Sequence, residues 1–238
     1  MLLKPTSIPF IAARKWGELN SEAAACKVIC GVPYEKTESF RGGSGLAPSA
    51  IREFSHSLES YSIISGKDLE DINLFDVGDL NVSHLEPEEM VKEVGTFLQS
   101  FPFAFPLLLG GEHTITLGAV MSLVKRFPQL YVLSLDAHPD FRSLYEGKAV
   151  CHATVMRRIG EIVGDERLLF LGLRTATAEE WEQLKSCALV SSEPVALSSD
   201  LKEKPLYLSL DIDVLDPSCA PGTGNPEPGG WSFRELMD

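Results

Sequence analysis

One phrase that occurs twice constrains the fold of this chain more than any other feature. Residues 133–138 read Leu-Ser-Leu-Asp-Ala-His, and residues 208–213 read Leu-Ser-Leu-Asp-Ile-Asp. Each copy continues an apolar run, which predicts a buried strand that ends in a loop. A third apolar run, 105–109, ends in Gly-Gly-Glu-His. In a parallel α/β sheet the carboxyl ends of the strands form the ligand crevice, so we expect the polar residues after these runs to lie together.

The polar residues after these predicted strands are of the types that bind metal ions. Residues two apart on a strand point to the same face, so Asp136 and His138 can project together. Asp140 can join them if the extended path continues past Pro139, and the second copy of the phrase repeats the spacing. The candidate ligands are therefore His113, Asp136, His138, Asp140, Asp211 and Asp213.

Four carboxylates and two imidazoles in this set would balance the charge of two divalent ions. Two ions roughly 3.5–4 Å apart can generate a nucleophile from water at neutral pH. The oxygen-rich donors favour Mn²⁺, with Mg²⁺, Fe²⁺ or Co²⁺ as alternatives. Without a metal, each aspartate would cap a turn or the next helix, as aspartates at strand ends often do. The repetition of the phrase favours the metal site.

Strand-like and helix-like segments alternate along the rest of the chain. This alternation predicts an α/β fold with a mainly parallel central sheet covered on both faces, a three-layer sandwich. Residues 1–25 are expected to form an irregular arm with room for a short helix. The predicted strands are 27–32, 72–77, 105–109, 130–136, 168–171 and 206–211, and the predicted helices begin at Pro48 or span 87–101, 114–126, 152–163 and 178–185.

Length and composition favour one domain over residues 1–238, because the chain is 44% hydrophobic and long enough for a full core. The net charge of -13 argues against nucleic acid or an anionic membrane as partner, and favours a small cationic ligand. The five cysteines lack paired spacing, which predicts free thiols in a reducing cytosol. No apolar run approaches the roughly 18 residues of a membrane helix. We therefore predict a cytoplasmic protein without a signal peptide.

The end of the chain carries a helix start. Residues 232–235, Ser-Phe-Arg-Glu, have the form of a capping box, yet the sequence stops at Asp238. A helix this short is not stable alone. The pattern favours a truncated version of a longer protein, with a frayed terminal turn as the alternative.

Three stretches resemble the metal-binding signatures of the ureohydrolases, the family of arginase, agmatinase and their relatives. They are Gly-Gly-Glu-His-Thr at 110–114, Asp-Ala-His-Pro-Asp at 136–140 and Ser-Leu-Asp-Ile-Asp-Val-Leu-Asp-Pro at 209–217. The resemblance runs from about Arg41 to the end of the chain. It implies an arginase-like sandwich, two Mn²⁺ per chain, and hydrolysis of a guanidinium group to urea and an amine by an activated hydroxide.

The resemblance also implies a role for each candidate residue. One ion would take His113, Asp136, Asp140 and Asp211, and the other would take Asp136, His138, Asp211 and Asp213. Asp136 and Asp211 would bridge the ions. His152 matches the family's proton-shuttle histidine, and with Asp140 it forms the predicted catalytic pair. Glu112 stands where the family usually has aspartate, a change that should keep His113 in place.

The substrate is less tightly defined. Residues 40–52 and 151–159 resemble the agmatinase branch, and 141–147 stand where arginases carry an asparagine- and serine-bearing segment that grips the α-carboxylate. The resemblance thus implies agmatine, cleaved to putrescine and urea, with arginine and guanidinobutyrate as alternatives, and a homo-oligomer, trimer or hexamer. Family members continue past Gly230 with an inner strand and a glutamate that binds the guanidinium. Two rivals remain open: a single-zinc amide hydrolase of the deacetylase type, and a non-catalytic protein on this fold.

Overall fold

A computed structural model of the chain describes residues 3–15, 26–102 and 104–238 and divides them into two compact units. The first unit contains the described residues up to Lys36 together with Gly43–Ile115, and the second contains Thr37–Gly42 and Thr116–Asp238. The single domain over 1–238 remains a prediction. Residues 1–2 and 16–25 of the arm predicted at 1–25 lie outside the described residues.

A mainly parallel sheet forms the first unit. The strands of this unit are β1 (Leu3–Lys4), β2 (Arg14–Lys15), β3 (Lys27–Val32), β4 (Tyr61–Ser62), β5 (Lys67–Asp68), β6 (Leu74–Leu80) and β7 (Phe105–Gly110). Strand β3 lies between β6 and β7 and runs parallel to both. Strand β2 also runs parallel to β6, whereas β1 pairs with β6 in the antiparallel sense. Strands β4 and β5 form a separate two-stranded hairpin.

The helices of the first unit begin where the sequence places proline. Helix α1 (Ala47–Ser55) has Pro48 in its first turn, and α2 (Pro87–Ser100) begins with Pro87. Proline suits this position because its missing N–H would be unsatisfied there in any case. A capping box formed by Glu86 and Glu89 closes the start of α2. The apolar face of α2 is buried within this unit.

Four parallel strands form the sheet of the second unit, in the order β10-β9-β8-β11. They are β8 (Tyr131–Leu135), β9 (Leu168–Leu171), β10 (Leu189–Ser191) and β11 (Leu206–Leu210). The helices from here on are α3 (Ile115–Leu123), α4 (Val155–Val163), α5 (Ala178–Leu184), α6 (Ser199–Lys202) and α7 (Phe233–Met237). Strands β8 and β11 pair with Ser134 opposite Ser209, so the two copies of the repeated phrase lie side by side in register.

Most predicted elements are confirmed, and the differences are local. Strands β3 and β9 have the predicted bounds, whereas β6 begins two residues later and ends three residues later than predicted. The helix predicted at 152–163 begins as a 3-10 turn before α4. Ser232 caps α7 through Glu235, as its sequence pattern predicts. The five cysteines are free thiols, and no helix in the described part of the chain is long and apolar enough to span a membrane.

Candidate metal centre

The two copies of the repeated phrase end in the same type of turn. Just after β8, an Asp136 carboxylate oxygen accepts the backbone N–H of His138 at 2.7 Å. Just after β11, an Asp211 carboxylate oxygen accepts the backbone N–H of Asp213 at 3.0 Å, and residues 212–214 form a 3-10 turn. Asp136 and His138 project together as predicted, but a turn after the strand orients them rather than strand alternation. At the end of each of these two strands, a turn closed by the first aspartate bends the backbone.

Three donors from these turns lie together in the second unit. Ligand atoms of Asp136, His138 and Asp213 all lie within 4.8 Å of one another. The Nδ1 atom of His138 is 3.0 Å from Asp213 Oδ2 and 3.6 Å from Asp136 Oδ1. Asp213 Oδ1 accepts the backbone N–H of Ala137 at 3.0 Å, which leaves Oδ2 facing the imidazole.

The two carboxylates of this cluster are stabilised by a positive charge beside them. Burial raises the pKa of Asp213, the nearby Asp136 carboxylate adds to this, and His138 opposes it. Burial alone would lower the pKa of His138, but its hydrogen bonds to Asp136 and Asp213 outweigh burial and raise that pKa. A protonated imidazole can supply the positive charge, and so can a divalent ion bound by the same two carboxylates and a neutral imidazole. The residues present thus fit the metal that the resemblance implies.

Asp140 follows a different path from the expected one. Its φ angle is 49°, in the left-handed region, so the extended path does not continue past Pro139. Aspartate is among the few residues that adopt this conformation readily. The carbonyl oxygen of Asp140 accepts the N–H groups of Met156 and Arg157 at 3.1 and 3.4 Å, which turns the chain toward α4. A ligand atom of Asp140 still lies within 4.8 Å of one of Asp136, as expected. The roles of Asp140 and Asp211 as metal ligands remain predictions.

His113 lies in the first unit, just after β7, where its neighbours hold the loop. Both oxygens of Glu112 are engaged: Oε2 accepts the backbone N–H of Lys36 at 2.8 Å, and Oε1 accepts the hydroxyl of Thr114 at 2.6 Å. Glutamate therefore serves as the anchor of this loop. A Cβ atom at Gly111 would lie 1.9 Å from a backbone oxygen, which explains the glycine at that position. The ligand role of His113 stays a prediction.

His152 is positioned by a threonine that no sequence pattern marks as functional. The Thr37 hydroxyl accepts the backbone N–H of His152 at 3.0 Å and lies 3.1 Å from its Nδ1. Tyr145 packs edge-on against the imidazole, with ring centroids 5.5 Å apart. Thr37 is buried, and its hydroxyl contacts both the backbone and the ring of His152.

Arg174 is a second residue that sequence reasoning missed. Its guanidinium group donates hydrogen bonds to backbone carbonyl oxygens of Gly172, Asp213, Val214, Leu215 and Glu227. The shortest, to the carbonyl of Asp213, is 2.6 Å. One cationic side chain therefore ties the turn that carries Asp213 to the loop that carries Glu227. No local sequence signal marks this role, because the acceptors lie on segments far apart in the chain.

The comparisons with known proteins agree with these observations. A sequence profile of the arginase family matches residues 26–238. The agmatinase of Bacillus subtilis (strain 168) is 35% identical over 238 residues, covering 96% of this chain and 80% of the relative. The N(1)-aminopropylagmatine ureohydrolase of Thermococcus kodakarensis is 37% identical over 222 residues, covering 89% of this chain and 75% of that protein.

A solved structure supports the same assignment. The agmatine ureohydrolase of Thermoplasma volcanium has a TM-score of 0.83 to this chain at 32% identity, covering 97% of this chain and 80% of that one. This similarity confirms the predicted arginase-like fold with its mainly parallel sheet. The profile match, the identity to relatives and the structural likeness agree, and this chain belongs to the arginase family of ureohydrolases.

Proposed function

We propose that this protein is a binuclear manganese hydrolase that cleaves agmatine to putrescine and urea. One observation carries the proposal: the clustered donors Asp136, His138 and Asp213 occur in a chain that is 35% identical to an agmatinase. Two carboxylates and an imidazole suit a borderline divalent ion such as Mn²⁺.

When bound, two Mn²⁺ ions would supply a nucleophile from water at neutral pH. Asp136, His138 and Asp213 would hold one of them, and the backbone N–H groups at Ala137 and His138 already fix one oxygen of each carboxylate. Asp211 follows the neighbouring strand in register with Asp136, which supports its proposed role as the second bridge. The family resemblance adds His113 and Asp140 to complete the set.

His152 is proposed to carry a proton to the departing amine. Its half-buried ring is held by Thr37 and packed by Tyr145, so its orientation is defined before substrate arrives. Histidine side chains are the common carriers of protons in catalysis near neutral pH. Such a group is needed because an amine is a poor leaving group unless it is protonated as the C–N bond breaks.

The charge of the chain supports a cationic substrate. A net charge of -13 attracts the diamine-like agmatine, which carries no carboxylate. The second candidate substrate is N(1)-aminopropylagmatine, because a relative of that activity is 37% identical to this chain. It carries a further amine and would be attracted by the same acidic surface.

The test is urea release from purified protein stripped of metal and then loaded with Mn²⁺, Mg²⁺, Zn²⁺ or Co²⁺ in separate samples. Substrates would be agmatine, N(1)-aminopropylagmatine, arginine and guanidinobutyrate. We expect two Mn²⁺ per chain, and release that is fastest with Mn²⁺ and agmatine. Faster release from N(1)-aminopropylagmatine would support the second candidate instead.

Matched variants distinguish loss of the metal site from a general loss of folding. Asp136→Ala should lose metal and activity together, whereas Asp200→Asn, on an exposed residue of α6, should retain both. One zinc per chain with amide hydrolysis would favour the deacetylase-type rival. Two bound Mn²⁺ without turnover of any guanidine would identify a non-catalytic relative. Wild-type metal content in Asp136→Ala would contradict the proposed ligand assignment.

A further inference from the structure

The far side of the His138 imidazole faces a carboxylate that has no assigned role. Its Nδ1 lies 3.0 Å from Asp213 Oδ2 and 3.6 Å from Asp136 Oδ1, on the side of the candidate ion. Its Nε2 lies 3.7 Å from Glu227 Oε1. Glu227 is therefore placed across the ring from the two carboxylates of the cluster.

The position of Glu227 suits the second ring nitrogen of a histidine that binds a metal ion through the first. When Nδ1 binds an ion, Nε2 must carry the remaining proton, and that N–H normally donates to a carboxylate, a carbonyl or water. We infer that Glu227 is a positioning residue that accepts the Nε2–H of His138 and thereby holds Nδ1 toward the ion. This inference rests on the proposed metal site.

The backbone around Glu227 is fixed independently of its side chain. Its carbonyl oxygen accepts two hydrogen bonds from Arg174, at 2.8 Å from Nη2 and 3.2 Å from Nε. The same Nη2 donates to the carbonyl of Asp213 at 2.6 Å. Arg174 thus sets the spacing between the backbone that carries Glu227 and the backbone that carries Asp213.

The residues on either side of Glu227 add a second restraint on its backbone. Prolines flank Glu227 on both sides and limit the backbone angles there. Asp216 Oδ2 accepts the N–H groups of Gly229 and Gly230 at 2.8 and 3.3 Å, which closes the loop two residues beyond Glu227. The Glu227 side chain, 36% exposed, keeps enough freedom to close the remaining gap to Nε2.

Geometry favours positioning over direct ligation. The carboxylates that would hold an ion with Nδ1 lie on one side of the imidazole, and Glu227 lies beside Nε2 on the other, so Glu227 would not be a direct ligand of that ion. A carboxylate on Nε2 fixes the tautomer and the plane of the ring and raises the basicity of Nδ1. Its loss should therefore weaken the binding of one ion and leave the other unchanged.

The experiment compares Glu227→Ala, Glu227→Gln and His138→Ala in the full chain by titrating metal-free protein with Mn²⁺ at constant pH, following free Mn²⁺ by electron paramagnetic resonance. Outer carboxylates of this kind are typically worth about 10–100-fold in metal affinity. We expect Glu227→Ala to lose a factor in this range at one of two sites. Glu227→Gln, which keeps an acceptor oxygen, should recover part of the loss. Glu193→Gln, on an exposed residue of the same unit, is the control.

The outcomes distinguish a failure of the inferred Glu227 role from a failure of the proposed metal site. If His138→Ala loses one ion while both Glu227 variants bind Mn²⁺ as tightly as wild type, the positioning role is refuted and the metal site stands. If His138→Ala also binds both ions with wild-type affinity, the proposed site itself is wrong. A Glu227→Ala variant with unchanged Mn²⁺ affinity and a raised KM for agmatine would assign Glu227 to the substrate and overturn the inference.

Discussion

Replacing Arg52 by leucine should be among the most destabilising single substitutions in the first unit. The Arg52 side chain is 2% exposed and forms a two-pronged pair with Asp76, with N–O distances of 2.8 and 2.9 Å. It also donates to Asp79 Oδ1 at 2.6 Å and to the carbonyl of Gly78 at 3.0 Å. One side chain on α1 therefore pairs with two carboxylates on β6.

The magnitude follows from the charge left behind. The side chain of Asp76 has 0% exposure, and without Arg52 its hydrogen-bond donors within the described residues would be the backbone N–H groups of Phe10 and Gly78. Removing one partner of a buried ion pair costs about 3–5 kcal/mol. For a chain of this size, that corresponds to a fall in Tm of roughly 6–20 °C. Arg52→Lys should lose a large part of this, because one ammonium cannot replace a guanidinium that contacts both aspartates.

The free energy of unfolding is measured with urea as denaturant and by heating, at fixed metal concentration. Arg234→Leu, on an exposed residue, is the control. The double variant Arg52→Leu/Asp76→Asn separates charge from packing. Removing the stranded charge should make the double variant at least as stable as Arg52→Leu alone. The reasoning is refuted if Arg52→Leu lies within about 1 kcal/mol of wild type, well below the cost of breaking a buried pair. Strict additivity in the double variant would equally exclude the stranded charge as the cause.

Three further predictions follow from single contacts. Arg174→Lys should lower Mn²⁺ affinity and unfolding stability together, by about 1.5–3 kcal/mol in stability, because hydrogen bonds from a charged donor are lost; denaturant unfolding and metal titration measure these effects. Thr37→Val should lower kcat about fivefold with little change in KM, since His152 loses a hydrogen bond worth about 1 kcal/mol; steady-state urea release tests this, and an unchanged kcat would show that the contact is not needed. Gly111→Ala should destabilise by roughly 1–3 kcal/mol through overpacking, whereas Gly222→Ala, where a Cβ meets open space, should be neutral in the same unfolding assay.

The sequence predicted the elements whose signals are local. Strand β9 is a short run of buried apolar residues with clear ends, and its bounds match the prediction. Helices α1 and α2 each have a proline in the first turn, where its fixed φ angle suits the helix. The in-register pairing of β8 and β11 explains why a repeated phrase was informative, because neighbouring strands with equal ends place equal residues side by side.

Most of the features that could not be predicted from the sequence depend on contacts between distant segments. Thr37 contacts His152 across 115 residues, and a threonine in a glycine-rich stretch carries no sign of such a partner. The acceptors of Arg174 come from three separate segments, so its role becomes visible only once these segments are folded together. The hairpin of β4 and β5 consists of two-residue strands, which are too short for a periodic pattern.

The aspartates of the repeated phrase show why a turn cap and a metal ligand need not be competing interpretations. One oxygen of Asp136 accepts the N–H of His138, and one oxygen of Asp213 accepts the N–H of Ala137. Each carboxylate has a second oxygen, so capping fixes its orientation without using up its capacity to bind an ion. The backbone bonds hold the donors in place before any ion arrives, which reduces the ordering that binding requires. The turn closed by Asp136 would therefore also orient this carboxylate for the proposed metal site.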